Sequence, residues 1–95
     1  MNKFTHTSVY VCSDCQMPIA YGDFTGLDFH YSPERAEERM EEIEIGMDNL
    51  AKEIGFLSMG DDYDDFSSEA CACCDSRDAG ARYEVIGTIN NTAAA

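Results

Sequence analysis

Two short cysteine turns carry the chemistry of this chain, Cys12-Ser13-Asp14-Cys15 and Cys71-Ala72-Cys73-Cys74. A Cys-x-x-Cys turn sets two sulfurs where both reach one ion, and two such turns supply the four thiolates of a tetrahedral zinc site. The spacing therefore names Cys12, Cys15, Cys71 and Cys74 as ligands of one structural Zn2+. Iron suits the same four thiolates. Cys73 falls outside the symmetric spacing and reads as a small buried residue pointing away from the metal. His6 and His30 are alternative imidazole ligands, but a four-thiolate site needs neither.

A catalytic zinc keeps one coordination position open, whereas four cysteines close the site. Redox use of a single Cys-x-x-Cys calls for a βαβ context, and Cys12 reads as the end of a strand with no helix behind it. The many carboxylates show no acid–base pairing. The chain is expected not to be an enzyme.

The ligand turns lie far apart, with fifty-five residues between Cys15 and Cys71. A plain zinc ribbon has about fifteen to twenty there, and an inserted helix accounts for the excess because its two ends can return to one place. Ser32-Pro33 begins that helix, Ser32 capping free amides and Pro33 occupying the first turn. Ala36, Met40, Ile43, Met47, Leu50 and Ile54 then step by four and three residues along one face. The helix is predicted over about 33–54. Gly55 is expected to close it in a left-handed cap with Phe56 packed over its end. Gly46, inside it, implies a bend or a close contact. Arg35, Glu38, Arg39, Glu41, Glu42 and Asp48 form the opposite face, read as solvated or as a surface for a basic partner.

The flanking elements position the two turns. Ser8-Val9-Tyr10-Val11 reads as a strand entering the first turn, and Met17-Pro18-Ile19-Ala20-Tyr21 as its edge or return strand. Leu27 to Tyr31 reads as a short strand whose aromatics cover the metal. Gly60 to Asp65 is an acidic loop without the ligand spacing of a calcium site. Arg82 to Ile89 is the most strand-like run, and residues from about 90 to 95 read as a frayed tail.

Nineteen acidic residues against six basic ones give a net charge of -13 in ninety-five residues. Four thiolates and one zinc ion would take that to about -15. Such a field repels phosphate backbones, so direct nucleic-acid binding is disfavoured and a protein with a basic surface is the natural partner. A chain of this length reads as one domain over 1–95, helped by a metal staple. No membrane span or secretory leader is evident, which predicts a cytoplasmic protein. The helix stripe also steps like a coiled-coil seam, an opening for a homodimer, although packing on the chain's own sheet is the favoured use.

The motifs resemble those of small double-Cys-x-x-Cys proteins encoded by bacteriophages and their bacterial hosts. The likeness rests on Cys12-Ser13-Asp14-Cys15, on Ala20-Tyr21-Gly22-Asp23, and on the glutamate-rich helix. It continues through Phe66-Ser67-Ser68-Glu69-Ala70-Cys71-Ala72-Cys73-Cys74 and Gly80-Ala81-Arg82, and so spans about Val9 to Ile86. Similar proteins often carry glycine after the last cysteine, where this chain has Asp75. The resemblance implies a zinc-ribbon-like fold, a phage or mobile-element setting in the bacterial cytoplasm, and no established activity. Arg82 would stand beside the thiolates and offset part of their charge.

The expected architecture is α+β: a zinc-ribbon-like pair of knuckles on a short antiparallel sheet, with one long amphipathic helix inserted between them. The function this implies is a non-enzymatic acidic interaction module, a phage accessory protein that binds a host factor. The alternatives are a nucleic-acid mimic that blocks a DNA- or RNA-binding host protein and, behind it, a thiol redox or metal-transfer enzyme.

Overall fold

The β-branched and aromatic run before the first cysteine pair and the run after the second become neighbours in one sheet. A computed structural model describes residues 3–90. Strand β1 (Phe4–Val11) leads into helix α1 (Ser13–Tyr21), a 3-10 turn (Thr25–Phe29) and helix α2 (Pro33–Ile54); strands β2 (Phe56–Ser67) and β3 (Gly80–Asn90) follow. The sheet is antiparallel in the order β1-β3-β2, so the last of these strands is the central one. The fold is α+β, with both helices ahead of the β2–β3 pair.

Helix α2 has the limits its sequence predicts. The Ser32 hydroxyl accepts from the Arg35 amide at 3.3 Å, and Pro33 takes the first turn. Its buried positions are Ala36, Arg39, Ile43, Gly46, Leu50 and Ile54, while Met40 and Met47 are half-buried. Ile43 packs in the same core as Val11 of β1 and Val85 of β3, and all three are fully buried. Ala36, Ile43, Leu50 and Ile54 of the stripe thus enter the chain's own core, while Met40 and Met47 keep part of their surface in solvent.

Gly55 ends α2 at φ 96, ψ -154, which is a positive φ but not the left-handed cap expected of it. The chain turns straight into β2, leaving Phe56 76% exposed instead of packed over the helix end. A side chain at Gly55 would strike the Thr88 carbonyl of β3, which fixes α2 against the central strand.

Three expectations fail. Met17 to Tyr21 belongs to α1, not to a return strand, so a helix does stand directly behind Cys12. Pro18 sits in its sixth position, with its ring buried, and the helix closes at Gly22, whose amide donates to the Pro18 carbonyl at 2.8 Å. Leu27 to Tyr31 forms no strand; Leu27 is buried in the 3-10 turn and Phe29 is 85% exposed. The acidic run from Gly60 to Asp65 lies within β2, which pairs with β3 through register shifts between Met59 and Tyr63 and between Asp64 and Ser67. The extra residues bulge outward, so consecutive aspartates stay in solvent while the strand continues. Of the expected tail, Asn90 ends β3 and the rest lies outside the described residues.

Candidate metal centre

Each cysteine turn is built by backbone bonds that bring its sulfurs to the same point. Cys12 leaves β1 with extended backbone (φ -73, ψ 169) and caps α1, while Cys15 occupies the first helical turn; the Cys12 carbonyl accepts from the Cys15 and Gln16 amides at 3.1 and 3.2 Å. The first pair therefore sits on a strand-to-helix junction, not on a strand-to-strand knuckle. The second turn closes through the Asp75 amide on the Cys71 carbonyl at 2.9 Å and the Cys71 amide on the Ser76 carbonyl at 2.8 Å. The Ala72 amide donates to the Tyr10 carbonyl at 3.0 Å, which ties this turn to β1. Asp75 has φ 64, a left-handed conformation that favours glycine.

The Sγ atoms of Cys12, Cys15, Cys71 and Cys74 all lie within 4.8 Å of one another, and none is in a disulfide. Sγ separations are 3.7 Å for Cys12–Cys15, Cys12–Cys74 and Cys15–Cys71. A tetrahedron with metal–sulfur bonds of about 2.3 Å has edges of about 3.8 Å. The donor set fits a four-thiolate metal ion such as zinc. Cys15 and Cys71 are buried and Cys12 nearly so, whereas Cys74 is half-exposed.

Hydrogen-bond donors point at these sulfurs. Cys71 Sγ accepts from the amides of Cys12, Cys73 and Cys74 at 3.2, 3.4 and 3.5 Å. The Arg39 guanidinium donates to Cys74 Sγ at 3.2 Å and reaches Cys12 Sγ at 3.7 Å. Arg39 is 6% exposed, and its Nε donates to Asp14 at 3.1 Å while Nη1 donates to Glu42 at 3.3 Å. The Tyr31 hydroxyl donates to the same Asp14 oxygen at 2.6 Å. A cation buried against two thiolates offsets their charge, and Asp14 with Tyr31 fixes its orientation.

The sequence places this role on Arg82, and the structure gives it to Arg39. Arg82 is buried elsewhere, its guanidinium donating to the carbonyls of Glu69 and Asp78 at 2.8 Å and of Ala81 at 3.0 Å. It braces the loop that carries the second cysteine turn. Arg39, read from sequence as part of the solvated face, lies on the buried stripe with Ala36 and Ile43. One arginine in register with apolar positions was the signal that could have found it.

The thiols divide their protons unequally. Contacts with Cys12, Cys15 and Cys74 hold Cys71 far below the ordinary thiol value. Cys74 is lowered to about 6, by Cys12 first, then Cys15, with Arg39 assisting. Cys15 is pushed up by sharing with Cys12 and then Cys71. For Cys12, the Cys15 thiol pulls its pKa down, but Cys71, Cys74 and burial outweigh that and raise it.

Cys73 stands outside the cluster, buried, with its Sγ on the Ile43 carbonyl at 3.6 Å. Its own carbonyl lies where a side chain at Gly46 would be, 2.1 Å from an ideal Cβ, so the glycine permits the second turn to rest directly on α2. This is the close contact that Gly46 implied. His30 is exposed and His6 bonds the Thr88 hydroxyl at 3.2 Å, so neither joins the sulfurs. Of the aromatics expected to cover the site, only Tyr31 lines the cleft at Cys12 and Cys74. No helix among the described residues is long and apolar enough to cross a membrane. No protein-family model matches the chain, and neither a curated protein nor a solved structure resembles it.

Proposed function

We propose that the chain is a zinc-stapled interaction domain. Cys12, Cys15, Cys71 and Cys74 bind one structural Zn2+ as thiolates, and the closed domain presents an acidic surface to a protein with a basic one. The observation that carries the reading is the 3.7 Å spacing of the sulfurs, close to the edge of a zinc–thiolate tetrahedron. Four thiolates leave no coordination position for a substrate, so the metal holds the fold and the role is non-enzymatic. Five reduced thiols suit a reducing compartment, the bacterial cytoplasm in the phage setting that the resemblance implies.

Metal analysis of the purified protein tests the first half. One zinc per chain is expected, whereas visible absorption from a thiolate charge-transfer band would assign iron instead. Cys12→Ser should lose the metal and most of the fold, because metal-binding energy is folding energy in such sites. Cys73→Ser should keep one zinc. A metal-free wild type with an intact melting transition would overturn the reading, as would loss of metal in Cys73→Ser.

A second reading is mimicry of a nucleic acid, to occupy a DNA- or RNA-binding protein. It draws on a regular row of exposed carboxylates along α2, Glu34, Glu37, Glu41, Glu44 and Asp48, in a chain 48 × 25 × 19 Å across. Displacement of the captured partner by DNA would favour this reading over an ordinary protein interface.

A further inference from the structure

The acidic side of α2 is more than a charged surface. Three cavities of about 550, 640 and 640 Å³ run along it, the first two meeting at Met40, the last two at Glu44, and the first and third at Phe24. Together they make one shallow groove beside α2 from Pro33 to Ala51, about 27 Å long at 1.5 Å per residue, whose outer parts lie between α2 and Phe24 and whose middle part is the open face of α2 alone. Its floor is apolar: Phe24, Met40, Met47 and Leu57 are half-buried, and Ile45 stands 56% exposed at its edge. Its rim carries Glu34, Glu37, Glu41, Glu44 and Asp48, and no lysine or arginine lines it.

The charges of α2 are arranged differently on its two sides. On the Arg35 side, Glu38 and Glu42 are neutralised by Arg35 at 3.2 and 2.7 Å, and Glu42 also by Arg39. Along the groove, Glu34, Glu37, Glu41 and Glu44 have no ion pair among the described residues, and only Asp48 approaches a cation, Lys52 at 4.0 Å. Like charges at these spacings destabilise a helix. A partner that brings cations relieves that repulsion.

We infer that this groove binds a basic amphipathic helical segment of a partner protein. The segment lays its apolar face on Phe24, Met40 and Met47 and sets its lysines or arginines against Glu37, Glu41 and Glu44. The inference rests on the interaction-module reading and specifies the partner's chemistry. Helix-in-groove recognition needs apolar anchors at helical spacing, and methionine floors adapt to them. The acidic rim fixes the sign of the ligand and speeds its approach. A second copy of this chain is a poor occupant, because it brings the same carboxylates and a further net charge of -13. A nucleic acid meets the same repulsion.

The test uses an 18-residue fluorescein-labelled peptide of leucine and lysine with a helical apolar repeat, and a shuffled peptide of identical composition, titrated with the full chain by anisotropy. The repeat peptide should bind and the shuffled one should bind at least about tenfold more weakly, since charge alone is not the determinant. Glu37→Lys with Glu41→Lys and Glu44→Lys should weaken binding about tenfold or more, as three lost ion pairs imply. Ile45→Gln should weaken it with little change in melting temperature, because the side chain is exposed and no charge is added. Asp61→Lys with Asp65→Lys and Glu69→Lys makes the same charge change off the groove and should alter binding less than threefold. Zinc content is measured on every sample. A zinc-loaded chain that ignores the repeat peptide, or binds the shuffled one equally, overturns the groove alone. A chain without zinc that still binds the repeat peptide overturns the metal reading and upholds the groove. Equal loss in the groove and control triples also overturns it.

Discussion

Replacing Gly46 by alanine sets two effects of opposite sign against each other. In an exposed helix interior the change gains up to about 1 kcal/mol, because glycine loses more backbone freedom on ordering. At this site the new methyl would lie 2.1 Å from the Cys73 carbonyl oxygen, 2.7 Å from its carbon and 3.1 Å from the Cys73 sulfur. Two of the three obstructing atoms are backbone, and the turn they belong to carries Cys71 and Cys74. To reach ordinary contact at 3.4 Å, the turn and the helix must separate by about 1.3 Å. Overpacking of this kind costs about 1–3 kcal/mol, and a strained turn whose neighbours are metal ligands belongs at the upper end. Net of the helix gain, Gly46→Ala should destabilise the zinc-loaded protein by about 2 kcal/mol, or about 10 °C in melting temperature for a chain of this length. Thermal unfolding followed by far-ultraviolet circular dichroism measures it, with exposed Asn49→Ala as a control that should shift stability by less than about 0.5 kcal/mol. Chelator-driven zinc loss should also quicken in Gly46→Ala. A higher melting temperature would refute the argument, since it would mean that the second cysteine turn does not rest on α2.

Other perturbations read separate parts of the centre. Arg39→Met keeps the packing volume but leaves Asp14 without its cation and strips a donor from Cys74; a loss of about 2–3 kcal/mol and faster zinc transfer to a chelator should result, measured by melting and by a chromogenic zinc indicator. Zinc binding at pH 7.5 should release more than about three protons, because the metal-free chain loses most of its fold and its four ligand thiols then keep the ordinary value of about 8.5; a weakly buffered indicator titration counts them. Below about pH 7 the thiols of the metal-free chain are all protonated, so release should approach four protons and affinity should fall steeply with acid. Across the sheet the Tyr10 hydroxyl of β1 donates to Asp62 of β2, which raises its pKa to about 12. The neutral phenol is the form that bonds, so this contribution is complete below pH 10 and lost as pH rises through 12; Asp62→Asn should return the 295 nm titration of Tyr10 towards 10.

Helix α2 was legible to the residue because its start and its stripe are both written locally. Ser32-Pro33 and the steps from Ala36 to Ile54 answer to helix geometry alone, and the four ligand cysteines answer to spacing alone. Helix α1 was not legible. Its nine residues have almost no apolar periodicity, and Pro18, which ordinarily breaks a helix, sits inside it. What stabilises it is tertiary: Cys15 and Pro18 are buried, and Asp14 is held by Arg39 and Tyr31. β2 was hidden for a related reason. Its aspartates read as loop, yet its backbone pairs with a central strand that supplies the order its own composition lacks. Arg39 was missed because the stripe was followed through Met40, one residue further on, and a buried cation makes sense only once the thiolates lie beside it.

The strand order has a bearing on how the chain comes together during synthesis. β3, the last described strand, is the one to which both β1 and β2 pair, so neither of those has a neighbour until residues 80–90 have left the ribosome. The Cys71–Cys74 turn emerges only just ahead of it, which leaves Cys12 and Cys15 a two-sulfur half-site for most of translation. Closure at so late a stage pairs residues more than eighty positions apart, such as Phe4 with Asn90, and makes folding slow by its topology. Until then the nascent chain holds its helices between two unpaired strands, protected from association largely by the repulsion of its own carboxylates.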